Sequence, residues 1–558
     1  MEKFELISEE RNKWMEVYKT GKESKEKFET DAGIPVKELY TPLDVQDLDY
    51  LGDLGFPGQA PYTRGVYPTM YRSRLWTIRQ FSGHGTPEET NEWWKMLYRE
   101  GGTGFSAAMD GLTFNGIDPD DEEEGMAPEV GKEGVPLYCI NSFEALIKDL
   151  PIEKVSVAFP VEPIVGCNIT SMFFNAAMRR GVPLKAIMGT TQNDILSAPL
   201  AVSNYKCPKA GGLVKLACDL IEYCTAMKNV PKWNPINFTT YNPREGGITA
   251  IQEIGFGFAS AIAHIEELLK RGWKVEDFVP RLAFHLSAHK DFFEEIAKFR
   301  AARRIWYKLM TERFGTKDPR CTEFRFHIQT AGSSLTAQQP LVNMARTTYQ
   351  ALAAVLGGCQ SMHTNSYDEA ICLPSEEAVT LAVRTQQVLQ EEARVTNTID
   401  PLGGSYYIEW LTNEIESRTL KYIAEIERIG GMVKAFEGGW IFKEMTEAFH
   451  KRRKAVESGE EKFIGVNCYV DMEEKSRPAV FRTNPRAAEV EISRLQKLKK
   501  ERDQVQVQKL FDQLRRVCEK GENVMPTVME LANAGATNGE ITKIYREMFG
   551  IWQLPIAI

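Results

Sequence analysis

From about Tyr67 onward, short runs of apolar residues alternate with longer segments in which apolar residues recur every three or four positions. The short runs predict strands over 103–109, 155–161, 184–188, 235–241, 281–286, 323–329 and 359–363. Several are almost continuously apolar, the pattern of parallel strands covered on both faces. The longer segments predict helices, most clearly 291–314. There Asp291 is placed to cap, Glu294 and Glu295 fall in the first turn, and Gly315 ends the run. Phe292, Ile296, Phe299, Ala302, Ile305 and Leu309 form its apolar stripe. Repeated strand–helix units predict an α/β fold with a parallel sheet. The strand count favours closure into a (β/α)8 TIM barrel.

The rhythm differs at the two ends. Residues 1–65 predict an arm: a short charged helix over 8–28, then a Pro- and Gly-rich stretch over 51–64 that suits wrapping better than a core. The barrel is expected over 66–482. From 483 to 558 the chain becomes highly charged with apolar residues at helical spacing, which predicts a helical extension outside the barrel.

Composition narrows the classes. A chain of 558 residues, 43% hydrophobic, can fill one large barrel core with additions. A net charge of −9 gives no electrostatic case for nucleic acid or an anionic membrane. The start is charged and lacks the apolar run of a secretory signal, and no stretch reaches the length of a membrane-spanning helix. The ten cysteines are scattered without a CxxC pair, so reduced thiols and a cytoplasmic location are expected. No nucleophilic triad, metal-ligand cluster or Walker-type phosphate loop is present in the sequence.

The most distinctive stretch is 67–86, YPTMYRSRLWTIRQFSGHGT, with Arg72, Arg74 and Arg79 among aromatic residues before Gly83 and Gly85. Such a mixture suits a ligand offering phosphates and flat or apolar groups. A surface strand with stacked arginines accounts for it equally. Its wording, YPTMYxxRxWTIRQF followed by a glycine-rich loop, resembles the signature of the methylmalonyl-CoA mutase family, adenosylcobalamin-dependent acyl-CoA mutases. GTTQNDIL (189–196), PRLAFH (280–285), FRFHIQTAGSSLTAQQP (324–340) and GGCQSMHTNSYDEA (357–370) repeat the resemblance in the same chain order.

The resemblance implies a large, substrate-binding subunit. In the family a separate cobalamin domain carries an Asp-x-His-x-x-Gly motif whose histidine ligates cobalt. None of His84, His264, His285, His289, His327, His363 and His450 sits in that motif. The cobalt ligand is therefore expected from a small cobalamin-binding partner, in a hetero-oligomer such as a heterotetramer, with the arm touching that partner. The reaction implied is a reversible radical 1,2-shift of the thioester group.

Matched residue by residue, the resemblance places Tyr241, Gln329 and His327 in the reaction zone, and Glu245, Glu369, Asn365 and Ala331 beside the cofactor. His327 and Gln329 alternate and so share one strand face. It places Tyr67, Thr69, Met70, Thr77, Thr190, Gln192, Asn234, Gln360 and Ser361 along the CoA and acyl channel. Arg74, Arg79 and Arg281 are expected to contact CoA phosphates. Small residues near strand ends, Ala331, Gly332, Ser334 and Ser361, would let a pantetheine arm thread the barrel, although barrel packing also requires small side chains.

Four departures from the family bear on substrate. Phe81 stands where mutases of carboxylated substrates carry Tyr, isobutyryl-CoA mutases Phe and 2-hydroxyisobutyryl-CoA mutases Ile. The family's carboxylate-binding Arg falls on Val202 or Ser203. Ala108 stands where hydroxyacyl mutases have Asp. Asn242 replaces the His that bonds the thioester carbonyl, and its amide could donate to the same oxygen but not act as an acid. The expectation is an uncharged branched or alkyl acyl-CoA of isobutyryl or pivalyl type. Two rival readings stand: methylmalonyl-CoA, 2-hydroxyisobutyryl-CoA or another substituted acyl-CoA, with Arg244, Lys206, Lys209 or Lys215 as a displaced cation for an acid; or a non-catalytic acyl-CoA-binding barrel.

Overall fold

The computed structural model describes residues 2–121, 127–197, 206–471, 484–553 and 555. Its centre is a parallel sheet of β1 (Thr77–Ser82), β2 (Gly104–Ala107), β3 (Ser156–Phe159), β4 (Met188–Thr191), β5 (Trp233–Asn234), β6 (Ile236–Thr239), β7 (Leu282–Ala288), β8 (Phe326–Thr330) and β9 (Ser361–His363). The order is β5-β4-β3-β2-β1-β9-β8-β7-β6. Pro235 separates β5 from β6. It has no N–H for a ladder, so the strand breaks there, and its first piece pairs with β4 while its second pairs with β7. The two pieces are one stave, and the ring closes as an eight-staved α/β barrel.

Helices follow the staves and cover the outside, among them Pro87–Arg99, Pro163–Arg179, Ala250–Lys270, Phe292–Lys308 and Val342–Leu356. In β1, Ile78, Gln80 and Ser82 are buried against this layer, whereas Thr77, Arg79 and Phe81 are half-buried and point the other way. β1 lies between β2 and β9, so it is a stave and not a surface strand. Its partly exposed face looks into the lumen.

Several elements sit differently from the sequence expectation. The strand expected at 184–188 lies at Met188–Thr191, because the preceding residues form turns in which Ala186 N–H donates to Pro183 and Ile187 N–H to Leu184. The strand expected to reach 241 stops at Thr239, and Tyr241 opens a short helical turn, Tyr241–Glu245. The helix expected over 8–28 is Glu2–Tyr18, ended where Gly21 N–H folds back onto the Tyr18 carbonyl.

The helix expected over 291–314 is Phe292–Lys308 followed by a π turn at Leu309–Arg313, with Asp291 capping Glu294 N–H at 3.2 Å. It is buried nearly all round and not along one stripe alone, because the N-terminal residues cross its outer face. Arg303 donates to the carbonyls of Tyr62 and Thr63, and Glu294 accepts from Ala32 N–H.

The helices Met525–Asn533 and Asn538–Phe549 pack on Pro163–Arg179, where Asn168 donates to Asn538 Oδ1 at 3.0 Å and Asn175 to the Met529 carbonyl at 3.0 Å. This double cover buries that helix from Pro163 to Ala177 and fixes its N-terminus at the end of β3. Among the described residues no helix is long and apolar enough to cross a membrane.

Candidate active site

A cavity of about 440 Å³ runs lengthwise through the barrel. At the N-terminal ends of the strands it is lined by Tyr67, Asn234, Arg281, Arg325 and Gln360. Along the walls stand Arg79, Phe81, Ser106, Ala158, Thr190, Ala283, His285, His327 and Ser361. The small residues among these leave the lumen open where larger ones would fill it. At the C-terminal ends it reaches Met109, Phe114, Glu162, Gln192, Ser197, Tyr241, Asn242 and Gln329.

The first mouth is cationic. Arg281 precedes β7 and Arg325 precedes β8, and burial together with the Arg325 charge holds the Arg281 pKa below its ordinary value. Arg325 donates to the Pro280 carbonyl, while Arg281 makes no hydrogen bond or ion pair among the described residues. Two neighbouring guanidinium groups, neither in an ion pair among the described residues, make this mouth suited to an anion. Arg325 escaped the sequence reading, although it lies two positions before His327 on the same strand face, Arg325-x-His327-x-Gln329.

Inside the lumen Arg79 donates to Ser156 Oγ at 2.7 Å, and burial lowers its pKa to about 10. Three neighbouring staves each contribute a histidine. His327 meets Ser361 Oγ at 2.8 Å, and His363 Nδ1 accepts from Phe81 N–H at 3.1 Å. His285 lies flat against the Tyr241 ring, 5.1 Å between centroids and 2° between planes. Burial pushes the His285 and His363 imidazoles down to about 3 and holds His327 well below its usual value, so all three are neutral.

At the far end Tyr241 Oη accepts from Gln329 Nε2 at 2.9 Å and from Gly332 N–H at 3.4 Å. Gln329 also donates to Asn365 Oδ1 at 3.2 Å, and Asn365 donates to the Thr330 carbonyl at 2.9 Å. Burial keeps the Tyr241 phenol protonated, well above its ordinary pKa. Asn242 lines the cavity with its amide unbonded among the described residues. Glu245 accepts from Ser333 N–H, its other oxygen is buried without a partner, and burial raises its pKa to about 7. A Cβ on Gly332 would come within 3.2 Å of both Asn365 Nδ2 and Glu245 Oε2 and 3.4 Å of Tyr241 Oη, so glycine keeps a cradle open there.

Of the residues singled out from sequence, Tyr67, Arg79, Phe81, Thr190, Gln192, Asn234, Tyr241, Asn242, Arg281, His327, Gln329, Gln360 and Ser361 line this one cavity. Asn365 and Glu245 stand behind Tyr241; Ala331 is buried there, donating its N–H to Gln350, and Glu369 is exposed at that end. Thr77 lies at the foot of β1, bonded through its N–H to the Gln360 carbonyl. Thr69 and Arg74 are exposed outside the lining, and Met70 is buried against Gly65 and Gly358. Val202 and Ser203 lie outside the described residues. Arg244 is not on the wall either. It is buried among Glu295 at 3.4 Å, Glu253 at 3.7 Å, Asp31 at 3.9 Å and Glu294 at 4.0 Å. Lys215 is bound to Asp219 at 2.5 Å. Among the described residues no group of three or more His, Cys, Asp or Glu is placed to hold a metal ion.

A TIM-like barrel threaded by a channel, cationic at one mouth and carrying a Tyr–Gln–Asn cluster at the other, agrees with the sequence comparisons. The methylmalonyl-CoA mutase family model matches residues 29–551. The chain belongs to the methylmalonyl-CoA mutase family. It is 43% identical over 536 residues to the 2-hydroxyisobutanoyl-CoA mutase large subunit of Aquincola tertiaricarbonis, covering 96% of this chain and 93% of that one. It is 38% identical over 523 residues to a methylmalonyl-CoA mutase of Cereibacter sphaeroides, covering 94% and 72%. The human mitochondrial methylmalonyl-CoA mutase is 36% identical over 524 residues, covering 94% and 68%. The protein is thus an acyl-CoA mutase, an isomerase of a family whose members depend on adenosylcobalamin.

Proposed function

We propose that this chain is the large subunit of a two-component acyl-CoA mutase acting on a CoA thioester with a short uncharged acyl group, branched or alkyl, of isobutyryl or pivalyl type. The observation that carries this reading is the channel itself. Its length and its cationic mouth suit a thin pantetheine arm ending in phosphates, and Arg281 and Arg325 would hold those phosphates. At the other end no lysine or arginine lines the wall among the described residues, while Phe81, Met109 and Phe114 do. A substrate carboxylate there would lose its hydration without a cation in exchange. Asn242, with its amide unbonded, would donate to the thioester carbonyl and hold it in place.

The orphaned oxygen of Glu245 and the glycine cradle beside Asn365 fit an adenosyl ribose. Glu245, Asn365 and the exposed Glu369 would hold its hydroxyls, and Tyr241 would face the corrin. When bound, that cofactor supplies radical generation by cobalt–carbon homolysis. The chain's own residues position and seclude the acyl group. A small subunit would supply the cobalt ligand; the Aquincola relative is itself named a large subunit. Reconstitution with such a subunit and a competition between isobutyryl-CoA and methylmalonyl-CoA test the substrate reading. The kcat/KM ratio is expected to favour isobutyryl-CoA by at least about a hundredfold, or ~2.7 kcal/mol. A preference for methylmalonyl-CoA would overturn it.

Arg281→Ala is expected to raise KM for any acyl-CoA substrate while changing kcat less, because the phosphates are remote from the reacting carbon. The loss of a charge-assisted bond costs about 1.5–3 kcal/mol. Initial-rate kinetics of the reconstituted variant check it, and an unchanged KM removes Arg281 from the phosphate site. The relative named for 2-hydroxyisobutanoyl-CoA makes a hydroxylated acyl chain the second reading, and Glu162, a cavity residue whose side chain has no partner among the described residues, favours it.

A further inference from the structure

Glu162 closes the loop after β3 and is 6% exposed. Its backbone carbonyl accepts from Val165 and Gly166 N–H and so starts the helix Pro163–Arg179, but its side chain makes no capping bond. Glu162 lines the cavity at the C-terminal ends of the strands. Among the described residues no hydrogen bond reaches its carboxyl and no cation lies within ion-pair distance. Arg546, the charge that bears on it, donates to the carbonyls of Asn115, Gly116 and Lys206.

Three other buried acids of the barrel are bonded. Asp194 accepts from Ser260 and from Thr239 N–H, Asp110 from Tyr138 and Thr113, and Glu253 from Lys298 and Ser287 N–H. Glu133, the second acid on the cavity wall, is exposed. Glu162 has no such outlet. The following residue is Pro163, and the C-terminal helices pin the helix that it begins, so the Glu162 backbone is fixed at the wall. Burial pushes the carboxyl pKa up to about 8, and the group carries a proton at neutral pH.

We infer that Glu162 is the specificity-determining group of the acyl end and that it receives an uncharged hydroxyl carried by the acyl chain. This rests on the reading of the cavity as an acyl-CoA channel. A protonated carboxyl donates through one oxygen and accepts through the other, and a hydroxyl does both, so the two groups satisfy each other. A plain alkyl chain gives the carboxyl no partner, so it binds less tightly than its hydroxylated counterpart. A substrate carboxylate would place a charge beside a second acid in a wall that also contains Phe114 and Phe159. An ammonium group would require the ionised form that burial opposes.

The test is calorimetric binding to the full chain, which needs neither cofactor nor turnover. The probes are two matched pairs: 2-hydroxyisobutyryl-CoA with isobutyryl-CoA, and 3-hydroxybutyryl-CoA with butyryl-CoA. The wild-type chain is expected to bind at least one hydroxylated ester about tenfold more tightly than its partner, which converts to ~1.4 kcal/mol. Glu162→Gln, which keeps a donor and an acceptor, should retain most of that preference. Glu162→Leu should abolish it while binding the unhydroxylated esters as well as wild type or better, which also shows that the variant is folded. Equal affinities within both pairs for wild type, or a preference that survives Glu162→Leu, overturn the inference and leave the acyl-CoA reading intact. Binding of none of the four esters removes the acyl-CoA reading and this inference with it.

Discussion

Replacing Tyr241 by Ala is expected to lower kcat of the reconstituted enzyme by about two to three orders of magnitude, the usual cost of removing one pre-organised group from a dry site. The Tyr241 oxygen accepts from Gln329 and from Gly332 N–H, so its own proton is left to point elsewhere. With the phenol held well above its ordinary pKa, that proton is not lost at any working pH. Its ring is stacked on neutral His285, which fixes the plane. Tyr241→Phe keeps the stack and loses only the hydroxyl, so its kcat should fall between those of wild type and Tyr241→Ala. Acyl-CoA affinity, read by calorimetry on the same proteins, should move less than about threefold, well below the ~1.4 kcal/mol of a tenfold change. A variant with normal kcat and weakened binding would make Tyr241 a wall of the channel and nothing more.

The barrel was legible because its strands are buried on both faces and write themselves as apolar runs between amphipathic segments. Closure was legible from the strand count, but the short first piece of the fifth stave, Trp233–Asn234, was not, because Pro235 splits that stave between two neighbours and a proline inside a run usually argues against a strand. The lumen was legible where motif and alternation agree, as in His327 and Gln329. It was not legible at Glu162 or His285. A glutamate before a proline reads as the start of a helix, and a histidine in an apolar run reads as core. Only the ring of strands shows that both look into the same cavity. Arg244 misled in the other direction. It neighbours Asn242 and Glu245 in sequence, which suggested a substrate cation, but the helical turn Tyr241–Glu245 places Asn242 on the cavity and Arg244 beneath it.

That burial makes Arg244 a stability residue, and Arg244→Ala is expected to cost about 3–5 kcal/mol, the range for removing one partner from a buried ionic cluster. Glu253, Glu294 and Glu295 have fully buried side chains, and the guanidinium is the group that all three share with Asp31. Lys298 still pairs with Glu253 at 2.7 Å and with Glu295, but it makes no bond to Glu294 or Asp31. Without Arg244, those acids must take up protons or pull water inward, and either outcome costs free energy that packing cannot return. Asp31 belongs to the N-terminal arm, so the same substitution should loosen the arm before the barrel unfolds. Equilibrium unfolding in urea reads the first effect, and limited proteolysis around residues 30–40 reads the second. A loss below about 1 kcal/mol, the scale of an exposed pair, would show the cluster to be solvated and would return Arg244 to the list of cations available to a substrate.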